Sequence, residues 1–268
     1  MMKTRIISGV VLAAVGILTI ALGGPLLMAV LLFCSEVGMY ELYKAMGVCG
    51  KDSPFNGLSV TGYAACAAYW ILLWLLGGGY MGILAALCVM ALMTAYVVSF
   101  PAYHADQAVG ACFGFFYVTV MLSCIFLIRM TPGDGGKLVW LVFISAWGAD
   151  TCAYFAGRFL GRHKMAPVLS PKKTVEGAAG GIIGAAVFGV LFALIFNEGR
   201  LILQCGLICA LGAIISIFGD LGASAIKRDR GIKDYGTLIP GHGGIMDRFD
   251  SVIFTAPVIY FLMLLTVG

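Results

Sequence analysis

Residues 220–250 read DLGASAIKRDRGIKDYGTLIPGHGGIMDRFD, a polar island in a chain that is otherwise oil. Asp220, Asp229, Asp234, Asp247 and Asp250 are five of the thirteen acidic residues, and Lys227, Arg228, Arg230, Lys233 and Arg248 are five of the seventeen basic ones. Carboxylates and cations alternating at short range suit a site that holds a divalent metal together with phosphates, because carboxylates ligate the metal and the cations balance the anion. A solvated loop laced with ion pairs is the plainer reading. It does not explain why Asp220 and Ser224 continue an apolar run, which a surface loop does not need.

Outward from this island the chain is apolar. Hydrophobic residues make up 61 % and charged residues 11 % of 268, against about 45 to 50 % and 25 % for a soluble domain. Only a polytopic membrane protein fits. Nine cysteines lie scattered in apolar segments without a C-x-x-C pair, so neither a disulfide framework nor a zinc site is suggested. There is no internal repeat, no low-complexity tract and no soluble domain. The sequence reads as one all-α membrane domain over 1–268, with N-terminal spans in 1–137 and the motif-bearing spans and loops in 138–268.

A membrane-crossing helix needs about 20 apolar residues. Nine such stretches occur, at 6–22, 25–43, 58–76, 80–98, 108–128, 138–157, 176–196, 201–226 and 250–267. Glycine and proline punctuate the breaks, as at Gly23-Gly24-Pro25 and Gly77-Gly78-Gly79. The run after Met-Met-Lys-Thr-Arg resembles a signal peptide but has no A-x-A cleavage pattern, so a retained first helix is expected. With the N-terminus in the cytoplasm, fourteen of the seventeen Lys and Arg residues fall on the inner side, as the positive-inside rule favours. The C-terminus then lies outside, and both charged loops face the cytoplasm.

Several charged positions stand out. Ser216, Asp220, Ser224 and Lys227 recur at helical spacing, giving one polar stripe that should line an internal wet cavity rather than face lipid. Asp150, inside the sixth span, is costly in a bilayer. It reads either as a metal or cavity residue or as a partner of Tyr154 or Arg158 along its helix. Asp247 and Asp250, three apart, share one face at the start of the last span, where the helix dipole alone also favours carboxylates. His242, within Pro240-Gly241-His242-Gly243-Gly244, binds phosphate or caps the turn. Ser170-Pro171 reads as a helix start, Ser as N-cap and Pro in the first turn. Lys172 and Lys173 would then oppose the dipole unless an anion rests there. Glu36 and Glu41 read as interface residues at the inner end of the second span.

The spacing from Ser224 to Asp250, S-x-x-K-R-x4-K-D-x5-P-G-H-G-G-x-x-D-R-x-D, resembles the signature of the phosphatidate cytidylyltransferases, or CDP-diacylglycerol synthases. ADTCAYFAGR at 149–158 and SPKKTVEG at 170–177 extend the resemblance, so its motifs cover roughly the C-terminal half. Cys152 stands where a small residue such as glycine is more usual.

From its residues alone, the chain reads as a membrane enzyme with a cytoplasm-facing site for a metal-bound polyphosphate. The resemblance implies cytidylyl transfer from CTP to phosphatidate, giving CDP-diacylglycerol and pyrophosphate in phospholipid biosynthesis, in a bacterial cytoplasmic membrane. It implies Asp220 and Asp247 as ligands of Mg²⁺, with Asp250 and Asp150 behind them. Lys172, Lys173, Lys227, Arg228, Lys233 and Arg248 would bind phosphate, with Ser224 and His242 among the substrate contacts. Lys227, Asp234 and Asp247 are the expected catalytic residues, Asp234 orienting Lys227 or ligating a second cation. The substrates and the bilayer are the expected partners, nucleic acid is not, and a homodimer is compatible. A lipid kinase would also need metal and triphosphate, but would release a nucleoside diphosphate. A transporter with ion-carrying aspartates is the non-enzymatic alternative, disfavoured by the lack of repeats and by charge crowded at one mouth.

Overall fold

The computed structural model describes residues 2–49, 53–196, 199–241 and 243–266. Among them nine helices follow in order: α1 (Met2–Leu22), α2 (Gly24–Met46), α3 (Gly57–Leu76), α4 (Met81–Val98), α5 (Ala105–Met130), α6 (Gly135–Leu160), α7 (Val175–Ile195), α8 (Ile202–Asp229) and α9 (Met246–Thr266). Eight are long and apolar enough to cross a membrane, and α1 carries a shorter apolar stretch, Gly9–Leu22. The expected all-α polytopic architecture is therefore present. Helix ends follow local chemistry. Pro25 opens α2, and Gly47 closes it in the left-handed conformation (φ 74°) that glycine adopts without a Cβ penalty. Asn56 and Ser59 cap α3 reciprocally, through bonds of 2.8 and 2.9 Å.

The structure corrects one reading. Ser170-Pro171 does not start a helix: Lys164–Ala166 (β1) and Ser170–Thr174 (β2) form a small antiparallel hairpin, with Ala166 opposite Ser170 and Lys164 opposite Thr174. The N-cap of α7 is Thr174, whose hydroxyl accepts the Gly177 N–H at 3.1 Å. Lys172 and Lys173 thus lie on the strand that leads into α7, not in the first turn of a helix.

The chain divides into two compact units, Met1–Leu127 with Arg230–Arg248, and Ile128–Asp229 with Phe249–Gly268. The charged stretch that dominates the sequence is shared between them. In the first unit Tyr43, fully buried, fits against Gly62 and Gly114 and donates its hydroxyl to the Ala111 carbonyl at 2.8 Å. Trp70 donates Nε1–H to Ser35 Oγ at 3.2 Å, and the Tyr69 and Ser123 hydroxyls lie 2.9 Å apart. Such pairing is required where no water can satisfy a buried polar atom.

The second unit is built on small residues. Gly177, Gly181, Ala185 and Gly189 recur every fourth position along α7, the spacing that lets helix backbones approach closely in a bilayer. A Cβ at Gly177 or Gly181 would stand 2.9 Å from the carbonyl oxygens of Ala153 or Ala149 on α6. Ile183, Val187, Leu191 and Ile195 project from the exposed side of α7, a face suited to lipid.

Candidate functional site

The close seating of α7 on α6 brings the hairpin against the charged part of α8. Lys173 on β2 forms an ion pair with Asp220 on α8, and Ser224, one turn on, lies 3.4 Å from the other Asp220 oxygen. The polar stripe of α8 is turned inward as its spacing suggests: Ser216 is 1 % exposed, Ser224 8 % and Lys227 9 %. Asp250 near the start of α9, itself buried, lies within electrostatic range of Asp220, Lys227 and Asp150. α8 and α9 approach closely here, because Gly219 leaves room for the Asp250 backbone and for Ser251. Three carboxylates and two lysines, on four elements, thus form one charged group in the second unit.

Beside this group a cavity of about 310 Å³ is lined by Asp150, Tyr154, Arg158, Lys172, Lys173 and Thr174, with Met165 and Ile217 supplying apolar wall. Asp150 is the exposed carboxylate of that lining. Arg158 donates to the Tyr154 hydroxyl at 3.0 Å. Both partners that the sequence offered Asp150 therefore line the same cavity as its carboxylate. The hairpin is tied down by Glu176 in the first turn of α7. Its carboxylate accepts the Arg162 N–H at 3.0 Å and the His163 N–H at 3.2 Å, and lies 2.6 Å from His163 Nδ1.

The first unit holds the remaining charged positions. Lys233, Asp234 and Arg248 line a recess of about 360 Å³ together with Gly236, Thr237, Ile239, Gly241 and Gly243. Asp247, 7 % exposed, places Oδ2 to accept the N–H groups of Tyr235 at 2.8 Å and Gly244 at 3.1 Å. One oxygen of this expected metal ligand therefore organises the 230–248 loop. Arg228 is exposed at the end of α8. His242 lies outside the described residues. Among the described residues no three Asp, Glu, His or Cys side chains converge closely enough to hold a metal ion by themselves.

Sequence reasoning missed the role of Glu41. Its carboxylate, 3 % exposed on α2, accepts the N–H groups of Ile245 at 3.1 Å and Met246 at 2.9 Å, where α9 begins. The available signal was an acidic residue within an apolar helix, which a bilayer tolerates only with a partner.

Apolar helices throughout, with carboxylates and lysines gathered beside a cavity in the second unit, define a polytopic membrane protein with a polar site. The chain belongs to the cytidylyltransferase family, whose model matches residues 3–266, and it is accordingly a nucleotidyltransferase. It is 32 % identical to a phosphatidate cytidylyltransferase of Bacillus subtilis across 98 % of both chains. It is 46 % identical to that of Synechocystis over 47 % of this chain and 42 % of the relative. The Thermotoga maritima phosphatidate cytidylyltransferase is 38 % identical over 57 % of each chain.

Proposed function

We propose that the chain transfers the cytidylyl group of CTP to phosphatidate, producing CDP-diacylglycerol and pyrophosphate. The observation that carries this reading is the likeness to the Bacillus subtilis phosphatidate cytidylyltransferase over 98 % of both chains. Lys227 and Asp250 support it, because buried charge of both signs on apolar helices is costly without an ionic ligand to serve, and the half-buried Lys173 and Asp220 extend the same group. A phosphate oxygen of phosphatidate attacks the α-phosphorus of CTP, and the bond to the bridging oxygen breaks with pyrophosphate as the leaving group. Catalysis of such a step is positioning and charge neutralisation. Lys173 and Lys227, in the second unit, are cations suited to the phosphates; Lys233 and Arg248 line the recess of the first unit. Lys172 and Arg228, more exposed, serve the approach of the triphosphate. Asp234 orients the cations of its loop.

The donor set fits Mg²⁺. Asp220 and Asp250 supply hard carboxylate oxygens, and the Ser216 hydroxyl, on the same face of α8 as Asp220, is buried without a hydrogen-bond partner among the described residues. Mg²⁺ is usually held by one or two carboxylates plus substrate phosphates, not by an all-protein cage, so a donor set short of three converging side chains suits it. Asp220 and Asp250 would hold the ion, with Asp150 behind them. When bound, it would neutralise charge developing on the transferred phosphoryl group. The positive-inside count favours a cytoplasmic N-terminus and a cytoplasmic site.

The test uses purified protein in phospholipid nanodiscs with phosphatidate, Mg²⁺ and CTP labelled in cytidine. The label should enter the lipid phase only when both substrates are present, with pyrophosphate released in equal amount. Release of CDP instead would identify a lipid kinase and overturn the reading.

A further inference from the structure

We propose that Glu41 is a positioning residue for the reaction: its carboxylate sets the 230–248 loop from a helix far away in sequence. Glu41 lies 204 and 205 positions before the two amides it accepts, Ile245 and Met246. Both carboxylate oxygens are used, one per amide. The N–H groups that open a helix have no partner within it, and an anion there also meets the favourable end of the helix dipole. Glu41 therefore caps α9 from α2. The loop is shaped to admit it, since a Cβ on either Gly236 or Gly244 would fall on the Glu41 carboxylate. Gly236 precedes Thr237 on the rim of the recess that holds Lys233, Asp234 and Arg248. Gly244 gives its own N–H to Asp247. The same few residues thus join Glu41 to Lys233, Asp234, Asp247 and Arg248, while Glu41 is absent from the lining of that recess and reaches substrate only through what it holds.

Two readouts test this, and only the kinetic one rests on the cytidylyl-transfer reading. The first is hydrogen–deuterium exchange of the full-length protein in nanodiscs, comparing wild type with Glu41→Gln, Glu41→Ala and Glu41→Asp. In Glu41→Gln the side-chain amide turns a donor toward one of the two backbone donors. Amides in 233–246 should exchange at least about tenfold faster in the Gln and Ala variants, the size expected for loss of a charge-assisted hydrogen bond, while α3 to α8 keep their protection. Glu41→Asp should fall between them and wild type. The second readout is kinetic: KM for CTP should rise about tenfold or more in the Gln variant, kcat should change much less, and Asp should recover part of the loss. Unchanged exchange in 233–246 would overturn the proposal, as would faster exchange throughout the helices, which would make Glu41 a general stability residue. Faster loop exchange with unaltered CTP kinetics would also overturn it. A wild-type protein without cytidylyl transfer would defeat the activity reading, and the exchange pattern would still decide whether Glu41 holds the loop.

Discussion

Lys173 and Asp220 form an ion pair that joins the β-hairpin to α8, with side chains 24 % and 27 % exposed. The pair sits at the edge of the cavity lined by Lys172, Tyr154 and Arg158. In the proposed reaction each partner has two tasks, holding the hairpin in place and meeting the ligand.

Lys173→Ala should lower kcat/KM for CTP by about tenfold to a hundredfold, the range for loss of one charge-assisted contact of about 1.5 to 3 kcal/mol. Lys172→Ala, at the more exposed position, should cost less. Steady-state kinetics at varied CTP and fixed phosphatidate measures both. Equal effects of the two variants would remove the special role of the ion pair. Asp220→Asn combined with Lys173→Ala should lose less than the two single losses added together, as expected for residues in contact.

The carboxylates should divide by their dependence on Mg²⁺. Asp220→Asn and Asp250→Asn should raise the Mg²⁺ concentration needed for half-maximal activity, because each removes a charge from the group proposed to hold the ion. Asp247→Asn should lose activity that added Mg²⁺ does not restore, because Oδ2 holds the Tyr235 and Gly244 amides and the loop loosens. Titration of each variant over a wide Mg²⁺ range measures this. Full recovery of Asp247→Asn at high Mg²⁺ would return Asp247 to the role of direct ligand.

Thr174→Ala removes the cap of α7 and should lower stability by about 0.5 to 2 kcal/mol, without the loop-specific exchange expected of Glu41 variants. Gly181→Val should be far worse, since any Cβ there meets the Ala149 carbonyl oxygen. Thermal unfolding in detergent, followed by size-exclusion chromatography, should rank wild type above Thr174→Ala and Thr174→Ala above Gly181→Val. A Gly181→Val protein as stable as wild type would contradict the packing of α6 on α7.

Much of the fold is legible in the sequence because membrane helices announce themselves over 20 residues at a time. The expected spans at 58–76, 80–98 and 176–196 lie within about two residues of α3, the Gly78–Val98 segment and α7. The inward stripe of Ser216, Ser224 and Lys227 was readable too, since its spacing is local and lipid excludes it. What escaped depends on distant partners. Ser170-Pro171 carries the local marks of a helix start, but pairing of Ala166 with Ser170 draws it into a strand. Glu41 meets its amides more than 200 residues away, and Asp247 turns an oxygen to backbone that no motif displays.

The proposed orientation has a direct check. With the N-terminus inside, cysteine introduced at Arg230 in a background without the nine native cysteines should react with a membrane-impermeant maleimide only from the cytoplasmic side. A cysteine at Gly268 should react only from outside. Reaction of both from the same side would contradict an odd number of crossings.

Cytidylyl transfer is checked by following two labels in parallel. Purified protein in nanodiscs with phosphatidate and Mg²⁺ is given CTP labelled at the α-phosphorus or, separately, at the γ-phosphorus. Cytidylyl transfer moves the α label into the lipid phase and the γ label into pyrophosphate, and Asp220→Asn should slow both at limiting Mg²⁺. Transfer of the γ label to lipid, or no transfer of either label by the intact wild-type protein, would contradict it.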